Sequence, residues 1–271
     1  MSAEKIIKLQ AKTALKNNYT SALIAFFCSI TAFVSAVFLA SASYTTAEIL
    51  FDEVFANIGA LAFLKDYAEI FENAAYYITL AILLPLTLPL HLGVLRYFYT
   101  LVKYGESSLR EVFYYIGKRF FKALGFCFSF FFRCLFRVIL PLLPGIVLFT
   151  INDITTAETE LALLDHLWYF ISYTLLITGT VPALRLCSNY FLAPFVFFEN
   201  PDAESKELWR EAKLSVKPLR TSVNKLITSV SPLFLLCVFI IPIIYVVPYI
   251  LTCFSISAKW ILELKNASKE E

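Results

Sequence analysis

The sequence predicts an all-α integral membrane protein with about six transmembrane helices, several of them proline-kinked, and amphipathic interfacial helices on the cytoplasmic side. Three observations carry this. Of the 271 residues, 59% are hydrophobic, 17% aromatic and 16% charged, against roughly 45–50% apolar and about 25% charged in soluble domains. Several apolar stretches reach the roughly 20 residues that a helix needs to cross the hydrocarbon core. The net charge is only +2, but basic and acidic residues fall in alternate loops, and basic loops belong inside.

The chain divides as one membrane domain over 1–271: an N-terminal amphipathic helix (1–18), a first hairpin (19–102), a second amphipathic helix (106–122), a second hairpin (123–198), a third amphipathic helix (201–217) and a third hairpin (226–262). In the first of these, Lys5, Lys8, Lys12 and Lys16 recur at helical spacing opposite Ile7, Ala11, Ala14 and Leu15, a pattern that lays a helix on the inner membrane surface. This places the N-terminus in the cytoplasm. The stretch Tyr19–Tyr44 carries no charge. Although Ala40, Ser41 and Ala42 mimic a leader-cleavage site, the apolar run is longer than the usual h-region of about 7–15 residues, so it reads as an uncleaved first span. The segment Glu48–Asn73 holds Glu48, Asp52, Glu53, Asp66, Glu69 and Glu72 against Lys65 alone, which puts it outside.

The second span, about Ala74–Val102, contains Pro85 and Pro89, each of which removes a backbone donor and bends a helix unless neighbours compensate. Ser108 to Glu111 is a capping box predicted to open a helix with Leu109, Val112, Phe113, Ile116 and Phe120 on its apolar side. Lys118, Arg119 and Lys122 hold that loop inside. The third span, about Ala123–Ile151, carries Arg133 and Arg137 and then Pro141, Pro144 and Gly145. Asp153, Glu158, Glu160 and Asp165 put the next loop outside. The fourth apolar stretch, about His166–Phe198, is too long for one crossing, which predicts a kink near Pro182, with Arg185 at the inner surface and Tyr190–Phe198 running along it.

Asn200 before Pro201 reads as an N-cap with proline at the first helical position, and Asp202 and Glu204 suit the first turn. In that helix Lys206, Arg210, Lys213 and Lys217 share one stripe, with Leu208, Ala212 and Val216 opposite. From Leu226 to about Ala258 the chain is apolar but broken by Pro232, Pro242 and Pro248, which predicts two short spans meeting near Pro242. Lys259, Lys265 and Lys269 then return the C-terminus to the cytoplasm. An internal echo accompanies this organisation: Ala11, Lys12, Leu15 and Lys16 match Ala212, Lys213, Val216 and Lys217, and Arg110 with Glu111 matches Arg210 with Glu211.

The chemistry-bearing residues are few. His91 and His166 are the two histidines, and neither has a sequence-adjacent carboxylate or second histidine. Seven glycines form no phosphate-cradling loop. The six cysteines, Cys28, Cys127, Cys134, Cys187, Cys237 and Cys253, lie in apolar stretches without a C-x-x-C pair and read as small hydrophobes. A non-enzymatic protein without metal or cofactor is expected. Nucleic-acid binding is disfavoured because Glu204, Glu207 and Glu211 interrupt the basic stripe. Arg133 and Arg137 are the sharpest feature, since an arginine at mid-membrane costs about 2.5–3.5 kcal/mol on insertion scales. Two readings are open: an anion or lipid-headgroup site formed by Arg133 and Arg137 with His91 and Arg96, or arginines that merely snorkel to the interface. Lys206, Arg210, Lys213 and Lys217 form the candidate inner-leaflet surface, suited to anionic membrane lipids or a membrane-protein partner. The leading expectation is an accessory or scaffold protein of the cell membrane. The alternative is a small transporter or lipid-translocating protein built around Arg133 and Arg137.

Ala11, Lys12, Leu15, Lys16 and Asn17, then Pro89, Leu90, His91, Leu92, Gly93, Arg96, Tyr97 and Phe98, then Gly105, Glu106, Leu109 and Phe113, and finally Tyr190, Ala193, Pro194, Glu199, Asn200 and Pro201 leading to Glu211, Ala212 and Ser215, occur in an order and spacing that resembles a bacterial multi-pass membrane family. That family is the domain of unknown function nine-seven-five, itself similar to the membrane part of some glycerophosphodiester phosphodiesterases. The resemblance implies a multi-pass helical fold and no particular activity. Where relatives tend to carry Pro-Gly in the fourth span, this chain has Pro182 and Ala183, and the soluble phosphodiesterase domain has no counterpart here.

Overall fold

A computed structural model describes residues 2–51, 67–155, 162–236 and 240–270. All regular structure among them is helical: α1 (Ala3–Ile49), α2 (Ala68–Tyr104), α3 (Phe120–Thr155), α4 (Ala162–Cys187), α5 (Ala193–Glu199), α6 (Ser205–Val216), α7 (Arg220–Leu236) and α8 (Ile240–Glu270). Five to six of these are long and apolar enough to cross a membrane. Most of the acidic segment around Asp52, Glu53, Lys65 and Asp66, the loop positions Glu158 and Glu160, and Cys237 lie outside the described residues. Large side chains on α3 stand bare, Phe136 at 74% and Leu140 at 68% exposure. Such a surface is untenable in water but ordinary against lipid.

The chain forms two compact units, one of residues 20–97 and 107–127, the other of 1–19, 98–106 and 128–271. In the first, α1 and α2 run antiparallel. The pairings Ser43 Oγ to the Ala75 carbonyl at 3.1 Å, Ser29 to His91, and the Tyr97 hydroxyl to Ser21 Oγ at 2.7 Å mark successive rungs of the hairpin. Ala22, Ala25, Ala36 and Ala40 are buried, because small side chains let two backbones approach.

The segment after α2 differs from the helix expected over 106–122. Only Leu109–Glu111 forms a single 3₁₀ turn, capped by Ser108, and α3 begins at Phe120. Glu111 does not close a capping box, because its carboxylate is held 2.6 Å from Arg96 Nε. Gly117 then adopts φ +136°, a conformation no helix passes through. The echo of Arg210 and Glu211 at Arg110 and Glu111 is therefore not a shared helix. This turn lies against α2 at Gly93, where an added Cβ would fall 1.9 Å from the Val112 carbonyl oxygen.

In the second unit, α1 begins as a short helix that ends in a kink at Asn18 (φ −124°, ψ 15°). Its Ile7 and Ala11 pack into a core with Leu226, Val230, Val246, Ile250 and Cys253 of α7 and α8. In α3 and α4, Gly145 lies against Leu176 and Gly179 against the Pro141 carbonyl, the close helix contact that glycine permits. Pro182 lies inside α4, and the helix ends later, at Cys187, followed by a 3₁₀ turn over Ser188–Tyr190. Tyr190 is buried. Ala193 to Phe198 are all buried, with Phe195 and Phe198 packed on Tyr99 and Phe191 on Phe254. Helix α7 is described as far as Leu236 and α8 from Ile240, residues 237–239 lie outside the described residues, and Pro242 lies within α8.

Candidate lipid-facing cationic surface and arginine cluster

The short helix α6 starts four residues later than its sequence suggests. Asn200 ends α5, its N–H bonding the Val196 carbonyl, and a turn closed by Ala203 N–H to the Asn200 carbonyl precedes Glu204, the residue that caps α6. Proline at 201 accordingly serves the turn and not the helix start. Within α6, Leu208, Trp209, Ala212, Ser215 and Val216 are buried, whereas Lys206, Arg210 and Lys213, and Lys217 just past the helix end, are exposed. The buried side is occupied by this chain's own residues: Trp209 meets Tyr190 edge-on at 5.6 Å and stacks on Phe130 at 6.3 Å. The four cations are thus carried on a helix already anchored by its other face.

Arg133 and Arg137 share one side of α3. The Arg133 guanidinium sits 4.8 Å over the Trp209 ring and its Nε points to Ser129 Oγ at 3.4 Å. The Arg137 guanidinium lies 4.6 Å over Tyr190 and donates to the Arg133 carbonyl at 2.8 Å. Cation–π contacts at this distance contribute about 0.5–2 kcal/mol each, more when water is excluded. His91 and Arg96, expected beside them, belong to the other unit and have partners there. His91 hydrogen-bonds Ser29 and Thr87, the latter at 3.2 Å. Arg96 pairs with Glu111 and stacks 3.7 Å over Tyr114. Burial pushes the neighbouring Tyr115 phenol up to about 12, against the opposing pull of Arg96.

Sequence reasoning missed a second cluster. Lys103 Nζ lies 2.5 Å from the Glu199 carboxylate, which also accepts from the Tyr99 hydroxyl at 2.7 Å. Lys265 bonds Glu211, and Lys259 donates to the Val102 carbonyl at 3.3 Å. These groups line a polar cavity of about 290 Å³. Three lysines meet three glutamates in its lining, so the cluster is charge-balanced and suits holding helix ends together better than capturing an ion. Its members come from four helices, α2, α5, α6 and α8, and no local pattern signals their meeting. Cys187 Sγ approaches the Cys134 carbonyl at 3.9 Å, a neighbourhood invisible in the spacing of the cysteines. Among the described residues, no group of three or more His, Cys, Asp or Glu side chains could hold a metal ion.

The long apolar helices and their bare flanks define a membrane protein. No family model, curated protein or solved structure matches the chain.

Proposed function

We propose that this protein is a non-enzymatic accessory or scaffold protein of the cell membrane, whose α6 presents Lys206, Arg210, Lys213 and Lys217 to anionic lipid of the inner leaflet and to membrane-protein partners. The observation that carries the reading is the division of α6: an apolar face filled by Trp209, Leu208, Ala212 and Val216, and a cationic face left outward. Glu204 and Glu207 are also exposed, so the face is net positive by two charges. The aromatic and backbone contacts of Arg133 and Arg137 give their charge an intramolecular home, which favours the accessory role over transport. The resemblance to the domain of unknown function nine-seven-five is compatible with this role.

The N-terminus and α6 are cytoplasmic in this reading, with four crossings between them. Lys265 near the end of α8 bonds Glu211 of α6, which supports placing these two on one side. The reading therefore has six crossings, with α7 and α8 as the fifth and sixth.

Replacing Lys206, Arg210 and Lys213 with Gln is expected to weaken association with phosphatidylglycerol-containing membranes or with a partner. At up to about 1 kcal/mol per cation the loss is about tenfold to hundredfold, and it shrinks at high salt. Insertion is retained, since the three side chains make no buried contact. Membrane-surface binding of purified protein in nanodiscs of defined composition, together with co-purification, reads this. Unchanged association in both assays contradicts the proposal.

A further inference from the structure

A groove of about 780 Å³ lies within the second unit, between the N-terminal part of α1 and the α7–α8 pair. One wall is Lys8, Lys12, Leu15, Lys16 and Tyr19, successive residues on one helical face. The other is Ser229, Pro232 and Leu233 of α7 with Tyr245, Val246 and Tyr249 of α8. Among the described residues no Asp or Glu contributes to the lining. The lysine wall is fixed by Ile7 and Ala11, which are buried in the core with α7 and α8, and at one end by the Lys8 ammonium, which donates to the Ser229 carbonyl at 2.9 Å. At the other end Tyr19 and Tyr245 close together, ring centroids 5.2 Å apart. Lys12 and Lys16 are exposed, and no ion pair among the described residues engages them.

We propose that this groove binds one anionic phospholipid, its phosphate held by Lys12 and Lys16 and an acyl chain lying along Leu233, Tyr245, Val246 and Tyr249. The occupant follows from the lining. Uncompensated cations call for an anion, and an apolar, aromatic wall continuous with them calls for a hydrocarbon on the same molecule. Lysine suits this role as a mobile point charge that meets phosphate without fixed geometry. The site is separate from α6 and does not depend on the proposal made for it.

Native mass spectrometry of the full chain, delipidated and then titrated with dioleoyl phosphatidylglycerol or dioleoyl phosphatidylcholine, tests this. One tightly retained equivalent of phosphatidylglycerol is expected, with phosphatidylcholine bound at least about tenfold more weakly. The Lys12→Gln, Lys16→Gln variant should lose that preference. Lys12→Arg, Lys16→Arg should keep it, which separates loss of charge from loss of fold. The α6 variant Lys206→Gln, Arg210→Gln, Lys213→Gln should also retain the equivalent, so failure of either site is read independently. Equal retention of the two lipids by the wild type, or an undiminished preference in the double Gln variant, overturns the proposal.

Discussion

Trp209→Ala is expected to lower stability by about 3–5 kcal/mol, the range for truncating a buried Trp or Phe. Trp209 is 6% exposed and is the common partner of Tyr190, Phe130 and the Arg133 guanidinium. Its removal leaves a cavity between α6 and the turn before α5, and also strips Arg133 of its aromatic face. The thermal midpoint in detergent should fall, and protease cleavage in the turn between Asn200 and Glu204 should accelerate as α6 loosens. Trp209→Phe keeps a ring and much of the volume, and should lie between the variant and the wild type. A Trp209→Ala protein as stable as the wild type would mean that α6 is held by something other than this cluster.

Gly93→Ala is expected to cost about 3 kcal/mol, the upper end for overpacking. The added methyl would meet the Val112 carbonyl oxygen at 1.9 Å, and a backbone atom cannot rotate away as a side chain can. To relieve the clash, the 3₁₀ turn must leave α2, pulling Glu111 from Arg96 and exposing Val112 and Tyr115, both fully buried. Gly125→Ala provides the contrast. Nothing lies within 4 Å of its added Cβ, and it sits inside α3, where alanine gains up to about 1 kcal/mol over glycine. The two substitutions should therefore shift the thermal midpoint in opposite directions; a destabilisation shared by both would remove the local explanation.

What was legible in the sequence is what depends on local period and composition. Charge-free stretches and their proline content gave long apolar helices, and the spacing of Leu208, Ala212 and Val216 against Lys206, Arg210 and Lys213 matches which α6 residues are buried and which exposed. The failures occur where tertiary partners override a local signal. The Ser108 to Glu111 pattern has every mark of a capping box, yet Arg96, fifteen residues upstream, holds the Glu111 carboxylate. Asn200 and Pro201 look like a helix start, but the same residues end α5 and make a turn. The burial around Tyr190–Phe198 rests on packing against Tyr99, Phe254 and Trp209, partners that no local pattern signals. The aromatic partners of Arg133 and Arg137 lie more than fifty residues away in sequence, beyond any periodicity argument, and the groove beside Lys12 and Lys16 has its second wall more than two hundred residues downstream.

The central claim is that the cationic face of α6 looks into the cytoplasm on the same side as the N-terminal helix. Labelling of single Lys12→Cys and Lys213→Cys variants with a membrane-impermeant maleimide tests it most directly, with the wild type correcting for native cysteines. The account predicts that both positions react in inside-out membrane vesicles and neither in intact cells. Reaction of Lys213→Cys in intact cells would place α6 on the outer face and contradict it.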